Sequence, residues 1–162
     1  MDKSLKERTL ILLKPDALQR NLLGKIIERF EHKGLKIVGL KMMQLSDVLL
    51  EDHYAHHKDK PFFKELKNFM ASAPVAAMVL EGLEAVKIVR MLCGATSGRE
   101  ADIGTIRGDF SMSTQANIIH SSDSTATAEK EIWRFFNSDE IFDYQKIDFS
   151  VVYGKEERER SG

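Results

Sequence analysis

The chain has 162 residues, with 24 Lys and Arg against 25 Asp and Glu, so its formal net charge is −1. A near-neutral chain has no overall attraction for nucleic acid or a membrane surface, and we expect neither as a partner. The single cysteine, Cys93, excludes an internal disulfide framework and is typical of a reducing compartment.

The chain length and its terminal stretches predict a simple organisation. The first residues, MDKSLKERT, lack the apolar segment of a signal peptide, and no apolar run approaches the roughly 20 residues that span a bilayer. We therefore expect a cytoplasmic protein. Residues 1–154 are long enough to form one domain with its own core, followed by a charged tail over residues 155–162.

The first half of the chain alternates between short apolar runs and helical periodicity. Residues 9–13 are apolar and end before a proline, which predicts a buried strand. Residues 21–33 repeat apolar side chains at helical spacing and predict a helix. Residues 35–45 alternate and predict a second strand, and residues 46–71 predict two helices interrupted at Pro61.

The second half continues in the same way, with one long interruption. Residues 94–116 are rich in Gly, Ser, Thr and Asp, and a loop of this length is usually functional or disordered. The pattern predicts strands over residues 74–80, 117–120 and 151–153, and helices over residues 83–93 and 124–136. This order indicates a domain of strands and helices, but periodicity does not distinguish a parallel sheet from a split βαβ arrangement.

Neither of the common glycine-rich phosphate motifs is present. No G-x-x-x-x-G-K-[ST] occurs, and no G-x-G-x-x-G opens a helix. A bound nucleotide would therefore be held mainly by side chains.

The HYAHH stretch contains three histidines, at positions 53, 56 and 57. Three imidazoles without a nearby cysteine or an E-x-x-H pattern are a weak signal for zinc. We therefore interpret His53, His56 and His57 as solvated helix residues and expect no metal site formed by the protein.

The stretch NIIHSSDS places His120 at the end of a predicted strand and just before a predicted helix. Glu131 lies at the edge of the apolar stripe of that helix, where a carboxylate costs free energy unless it has a partner. We expect Glu131 to reach back to the imidazole. A carboxylate on one ring nitrogen fixes the tautomer and leaves the other nitrogen as a nucleophile or base.

Three basic residues are dispersed along the chain. Lys14 ends a strand, Arg90 lies near the end of a helix, and Arg107 occurs in the long loop within TIRGDF. Together with a nucleophilic histidine, these cations would surround the transferred phosphoryl group and stabilise the charge that spreads over its oxygens, as phosphoryl transfer requires. Tyr54 and Phe62 offer rings on which a base can stack, although packing in the core is the simpler interpretation.

Five motifs together resemble those of nucleoside diphosphate kinases. They are LLKPDALQR, YAHHKDKPFF, GTIRGDF, NIIHSSDS and AEKEI, and they occur in family order along nearly the whole chain. The resemblance implies an α+β, ferredoxin-like fold with helices packed on a four-stranded antiparallel sheet. It implies transfer of the γ-phosphate of a nucleoside triphosphate, mainly ATP, to a nucleoside diphosphate through a phosphohistidine, which maintains NTP and dNTP pools. It also implies Mg²⁺ bound through the substrate's phosphates, and a homo-oligomer, either a hexamer or a tetramer.

The resemblance also implies roles for individual residues. His120 matches the phosphorylated histidine, Glu131 the carboxylate that orients it, and Ser122 the hydroxyl beside it. Lys14 matches a lysine that the family uses both in catalysis and in nucleotide binding. The residues that match the groups holding the phosphates, sugar and base are Lys14, Tyr54, Phe62, Leu66, Arg90, Thr96, Arg107 and Asn117.

Several residues depart from the family pattern. Ser121 stands where the family usually has glycine, and Gln115 and Ala116 stand where it tends to have glycine and arginine. Loop prolines expected near Gly98 and Ile103 are absent. If the position of Ser121 is left-handed, serine carries modest strain there. The missing prolines leave the choice between hexamer and tetramer open.

Two other functions remain compatible with the residues. The changes before Asn117 suggest a ferredoxin-like nucleotide-binding regulatory module without turnover, which would bind ADP but exchange no phosphate. A hydrolase would pair Ser122 or Ser124 with His120. Ser122 is only two residues from His120, however, and such local pairs are poor geometry for a catalytic triad.

Overall fold

The computed structural model describes residues 6–159, which are organised around a four-stranded antiparallel sheet. The strands are β1 (Lys6–Leu13), β2 (Lys36–Met43), β3 (Val75–Leu83) and β4 (Ile119–Ser121), in the order β2-β3-β1-β4. β1 pairs with β3 along its length and with β4 at its end, where Leu12 lies opposite His120. Apart from the helices inserted between β2 and β3, the chain follows the β-α-β-β-α-β order, which with this strand arrangement is ferredoxin-like, so the predicted fold class is confirmed.

Helices occupy most of the remaining chain within residues 6–159. They are α1 (Pro15–Gln19), α2 (Leu23–His32), α3 (Asp47–His53), α4 (Phe63–Ala71), α5 (Ala85–Cys93), α6 (Ile106–Phe110), α7 (Thr125–Phe135), α8 (Phe149–Val152) and α9 (Lys155–Glu159). Short 3₁₀ turns cover Ala55–His57 and Ser138–Glu140. None of these helices is both long and apolar enough to cross a bilayer.

The crossover helices α2 and α5 cover one face of the sheet. Because side chains alternate along a strand, Ile11 and Leu13 of β1 point to this face, where they join a cluster with Phe30 of α2 and Val89 of α5. These side chains are fully buried, and each contributes about 1.5–3 kcal/mol. The packing fixes α5 against the sheet and thereby positions Arg90.

Helices α3, α4 and α7 cover the other face. Leu10 and Leu12 of β1 point to this side and join a second buried cluster with Leu50 of α3, Met70 of α4 and Phe135 of α7. This packing brings the end of α3 against α7, next to β4. It is the reason that residues far apart in the sequence meet around the histidine of β4.

The predicted C-terminal strand over residues 151–153 is wrong, because Phe149–Val152 forms α8. Phe149 and Tyr153 lie four residues apart and pack their rings at 5.1 Å, which suits a helix, and Val151 is 83% exposed. β-branched residues such as Val151 and Val152 favour strands, but within the described part of the chain they have no neighbouring strand with which to pair. The predicted tail falls partly on α9, and its last residues, 160–162, lie outside the described residues.

Other parts of the chain also differ from the predictions. β3 runs to Leu83, past its predicted end at residue 80, and Glu84 turns the chain with a φ of 48° before α5 begins at Ala85. The long loop contains α6, which begins after Thr105, whose hydroxyl accepts a hydrogen bond from the Gly108 N–H. Both α1 and α6 have five residues, too few for a periodic pattern to show in the sequence.

Candidate active site

The chain makes a strained turn just before β4, at Ile118. Its φ of 74° is unfavourable for a β-branched residue and costs about 1–3 kcal/mol. The turn is held because the Ile118 N–H donates to the Asp16 carboxylate at 3.0 Å, while its carbonyl accepts from the Lys14 N–H at 2.8 Å. These bonds tie Lys14, the residue directly after β1, to the segment that leads into the strand of His120.

Ser121 is in the extended conformation of β4. Within the described part of the chain, the non-glycine residues of positive φ are Asn21, Glu84 and Ile118. The left-handed conformation considered for Ser121 is therefore not adopted, and serine carries no backbone strain of that kind here.

His120, Glu131 and Ser122 form a hydrogen-bonded group where β4 meets α7. The Nε2 atom of His120 lies 3.1 Å from each carboxylate oxygen of Glu131, and the Ser122 hydroxyl donates to Glu131 Oε2 at 2.6 Å. A carboxylate only accepts, so the imidazole proton is on Nε2 and the lone pair is on Nδ1. The side chain of His120 is 23% exposed, whereas that of Glu131 is buried.

The charge on Glu131 is stabilised by these contacts. Burial alone would raise the pKa of its carboxyl group, but the hydrogen bonds from His120 and Ser122 outweigh burial and lower the pKa below its ordinary value. Glu131 is therefore a carboxylate at neutral pH and holds the imidazole in one tautomer.

Lys14 and Asn117 meet on the cleft side of His120, although they are 103 residues apart. The Lys14 ammonium donates to Asn117 Oδ1 at 2.6 Å, and the Asn117 amide donates to the Thr96 carbonyl at 2.9 Å. Burial, followed by repulsion from Arg107, lowers the pKa of Lys14 to about 8. An anion bound next to this ammonium would stabilise its charge.

Arg107 is a buried cation whose charge is not neutralised by a carboxylate. Its guanidinium donates to the backbone carbonyls of Gly94, Asn117 and Ile119, at 2.9, 3.3 and 2.7 Å. Across residues 6–159 it forms no salt bridge, and neither does the exposed Arg90. Burial lowers the pKa of Arg107 below its ordinary value. Both charges thus remain available for an anionic ligand.

These groups share one cleft of about 690 Å³, which we call the His120 cleft. Phe62, partly exposed, and the buried side chains of Tyr54 and Leu66 form its apolar wall. Burial, followed by the charge of Glu131, raises the pKa of Tyr54, so its hydroxyl stays protonated. The lining residues predicted from the sequence are Lys14, Tyr54, Phe62, Leu66, Arg90, Thr96, Arg107, Asn117 and His120, with Glu131 and Ser122 directly behind His120.

Comparison with known proteins identifies the family. The sequence profile of nucleoside diphosphate kinase matches residues 7–141 of this chain. The chain belongs to the nucleoside diphosphate kinase family. It is therefore a phosphotransferase that moves the γ-phosphate of a nucleoside triphosphate to a nucleoside diphosphate.

Relatives of this kinase match it over most of their length. The nucleoside diphosphate kinase of Methanobrevibacter smithii is 53% identical over 147 residues, covering 91% of this chain and 98% of the relative. The structure of the Halobacterium salinarum kinase in complex with CDP superposes with a TM-score of 0.90 at 46% identity, covering 92% and 99% of the two chains. The structure of a transition-state mimic of the Borrelia burgdorferi kinase, with bound vanadate and ADP, superposes with a TM-score of 0.84 at 36% identity, covering 90% and 96% of the two chains.

Family membership and geometry both oppose the two alternative functions. Nucleoside diphosphate kinases are enzymes, so the interpretation as a module without turnover is not supported. The Ser122 hydroxyl donates to Glu131, and the Ser124 hydroxyl accepts from the Thr127 N–H as the cap of α7. Neither hydroxyl is paired with the imidazole of His120, as a serine hydrolase would require.

The sequence interpretation of the HYAHH histidines in this kinase is wrong for one of them. His56 is exposed and His57 lines the cleft, but His53 is buried behind His120. The available signal was its position three residues after Leu50, on the apolar face of α3.

His53 also belongs to the group of side chains that most resembles a metal site. His53, His120 and Glu131 carry donor atoms within 4.8 Å of one another. However, Nη1 of Arg134 lies 3.4 Å from Nδ1 of His53, so a divalent ion there would meet a guanidinium. This repulsion disfavours a metal at the cluster.

Proposed function

We propose that His120 is the group that carries the phosphoryl group in this kinase. The observation that supports this role is the restraint of Nε2 by Glu131 at 3.1 Å, combined with the position of His120 in a cleft lined by cations. Among the described residues, Nδ1 of His120 has no hydrogen-bond partner. Its lone pair is therefore free to attack a phosphorus atom.

The reaction runs in two symmetric halves. The Nδ1 lone pair forms a bond to the γ-phosphorus, the bond from that phosphorus to the bridging oxygen breaks, and the nucleoside diphosphate leaves with the electron pair. In the second half, a terminal phosphate oxygen of another nucleoside diphosphate attacks the phosphohistidine, and the lone pair returns to Nδ1. One site used twice predicts ping-pong kinetics.

Three cations stabilise the charge that spreads over the transferred group. Lys14 offers a point charge next to Asn117, while Arg90 and Arg107 offer planar donors that match phosphate oxygens. Because these charges are in place before the substrate binds, no reorganisation is needed at the transition state.

The nucleoside is held by the rest of the His120 cleft. In the proposed binding mode, Phe62 and Leu66 flank the base, and Tyr54 and Thr96 contact the sugar and phosphates. The lining of the cleft by all four residues supports this assignment. Recognition by stacking is tolerant of base identity, so the enzyme accepts many bases and both sugars, with ATP as the main donor. This tolerance fits a role in maintaining NTP and dNTP pools.

Mg²⁺ enters as part of the nucleotide substrate. Mg²⁺ prefers oxygen ligands and retains several waters. Of the described residues that line the cleft, Asp123 alone carries a carboxylate. This donor set suits an ion held through the substrate's phosphates and waters, with no direct protein ligand.

The enzyme is further proposed to act in the cytoplasm as a homo-oligomer, a hexamer or a tetramer. Leu40 and Met42 are 52% and 64% exposed on β2, an edge strand of the sheet, which supports contact with another copy. Residues 1–154 are proposed as the kinase domain and residues 155–162 as an appended charged segment. Light scattering of the purified protein measures the assembly.

Phosphorylation of His120 tests the proposed function directly. Incubation with ATP labelled in the γ-phosphate should give a protein-bound label that is lost in acid and kept in base. His120→Ala should abolish the label, while His32→Ala, which removes an exposed histidine of α2, should keep it. A label retained on His120→Ala would show that another residue is the nucleophile.

A further inference from the structure

His53 is a buried histidine in contact with the nucleophile, and the proposed mechanism does not use it. It is the last residue of α3, its side chain is 2% exposed, and it is not among the residues that line the His120 cleft. Its ring packs edge-to-face against the rings of His120, Tyr54 and Phe135, with centroid distances of 4.8, 4.6 and 5.0 Å. His53 therefore touches the reacting imidazole without reaching the substrate.

His53 also lies between a carboxylate and a cation. Its Nδ1 is 3.8 Å from Glu131 Oε1 and 3.4 Å from Nη1 of Arg134, which is itself paired with Asp52. A guanidinium only donates, so Nδ1 of His53 accepts and the ring proton is on Nε2. Burial, followed by the charge of His120, lowers the pKa of His53 to about 3, which keeps the ring neutral.

The guanidinium of Arg134 is a potential competitor for Glu131. Arginine and carboxylate form strong bidentate pairs, and the carboxylate of Glu131 is already used by His120 and Ser122. If Arg134 reached Glu131, it would withdraw the carboxylate from Nε2 of His120. The proton would then no longer be held on that nitrogen, and the nucleophile would lose its fixed tautomer.

We propose that His53 is a positioning residue: it accepts the Arg134 guanidinium on Nδ1 and separates it from Glu131, so that the carboxylate stays bound to His120. The inference rests on the proposed function of His120. Arg134 gains a fixed position between Asp52 and His53, and the neutral ring adds no charge beside the nucleophile.

Three variants test whether His53 keeps Arg134 away from Glu131. His53→Leu fills the space but removes the acceptor, His53→Asn keeps an acceptor near the position of Nδ1, and His53→Leu combined with Arg134→Met removes both the acceptor and the cation. The measurements are the single-turnover rate of phosphohistidine formation from γ-labelled GTP and the affinity for ADP. A displaced catalytic group slows chemistry by up to about 100-fold, so we expect a loss of roughly 10- to 100-fold in His53→Leu.

The pattern across the variants separates positioning from packing. ADP affinity should be unchanged in all of them, because His53 does not line the cleft. His53→Asn should keep most of the rate, and the double variant should regain most of what His53→Leu loses. Arg134→Met alone, and His56→Ala at the exposed neighbouring histidine, should both match the wild type.

Several outcomes would overturn the proposal. A wild-type rate in His53→Leu would show that His53 has no role in positioning. A double variant no faster than His53→Leu would show that the loss comes from packing and not from Arg134. Thermal melting checks that each variant folds. If His53→Leu does not fold, the rate of His53→Ala is compared with that of His53→Ala combined with Arg134→Met, and the same two outcomes apply. If the wild-type enzyme itself forms no phosphohistidine, the proposed function fails instead.

Discussion

Replacement of Glu131 by glutamine is the sharpest test of the active-site geometry. In the wild type, one carboxylate serves two donors, with His120 Nε2 at 3.1 Å from both oxygens and the Ser122 hydroxyl at 2.6 Å from Oε2. Glutamine has a single oxygen and an amide nitrogen that only donates. If the amide faces His120, Nε2 must become the acceptor, and the proton moves to Nδ1, the nitrogen proposed to attack phosphorus.

The expected loss in the rate of phosphohistidine formation depends on whether the oxygen or the nitrogen of the glutamine amide faces His120. A hydrogen bond to a charged group contributes about 1.5–3 kcal/mol, which corresponds to roughly 10- to 150-fold in rate. That is the loss expected if the amide oxygen still faces His120. If the tautomer reverses, the loss rises toward about 10⁴-fold, the effect of an imidazole held in the wrong tautomer.

Rapid-quench measurement of phosphohistidine formation, with ADP binding measured by calorimetry, checks this expectation. ADP affinity should be unchanged because the phosphate-binding cations are untouched. Ser122→Ala is the matched control: it removes one donor but leaves both oxygens of Glu131 for His120, so its loss should be smaller. A wild-type rate in Glu131→Gln, or a larger loss in Ser122→Ala, would refute the orienting role of Glu131.

Three further predictions follow from the structure. Because burial and Arg107 lower the pKa of Lys14 to about 8, nucleotide affinity measured by calorimetry should weaken as pH rises above that value, whereas Lys14→Arg should show no such alkaline loss. The pKa of His53 is lowered from 6.5 to about 3, so between these values the unfolded chain binds the extra proton and the free energy of unfolding decreases as pH falls. The free energy of unfolding, measured by chemical denaturation across this pH window, should fall with decreasing pH more steeply in the wild type than in His53→Asn, by at most about 1.4 kcal/mol per pH unit. An equal pH dependence in the two proteins would contradict a neutral buried ring. Glu84 is exposed with a φ of 48°, so Glu84→Gly should raise the free energy of unfolding by up to about 1 kcal/mol, and a lower melting temperature would argue against strain at this turn.

Some of this protein was determined by local sequence alone. Long periodic segments such as α2 and the apolar run of β1 were predicted because their own residues favour one structure. The pairing of His120 with Glu131 was also accessible, since the two lie 11 residues apart across a strand end and one helix, and the carboxylate falls on that helix's apolar edge. The short α1 and α6, and the C-terminal α8, were not predicted, because their form depends on packing and capping.

Only the tertiary structure decided what surrounds the nucleophile. Lys14 meets Asn117 because β1 lies next to β4, and His53 meets Glu131 and Arg134 because α3 and α7 pack on the same face of the sheet. Apart from the helical spacing of His53 from Leu50, nothing in the local sequence distinguishes the buried histidine of HYAHH from the solvated ones. The difference arises because side chains distant in sequence exclude water from one ring and leave its neighbour in solvent, and such long-range contacts have no local signature.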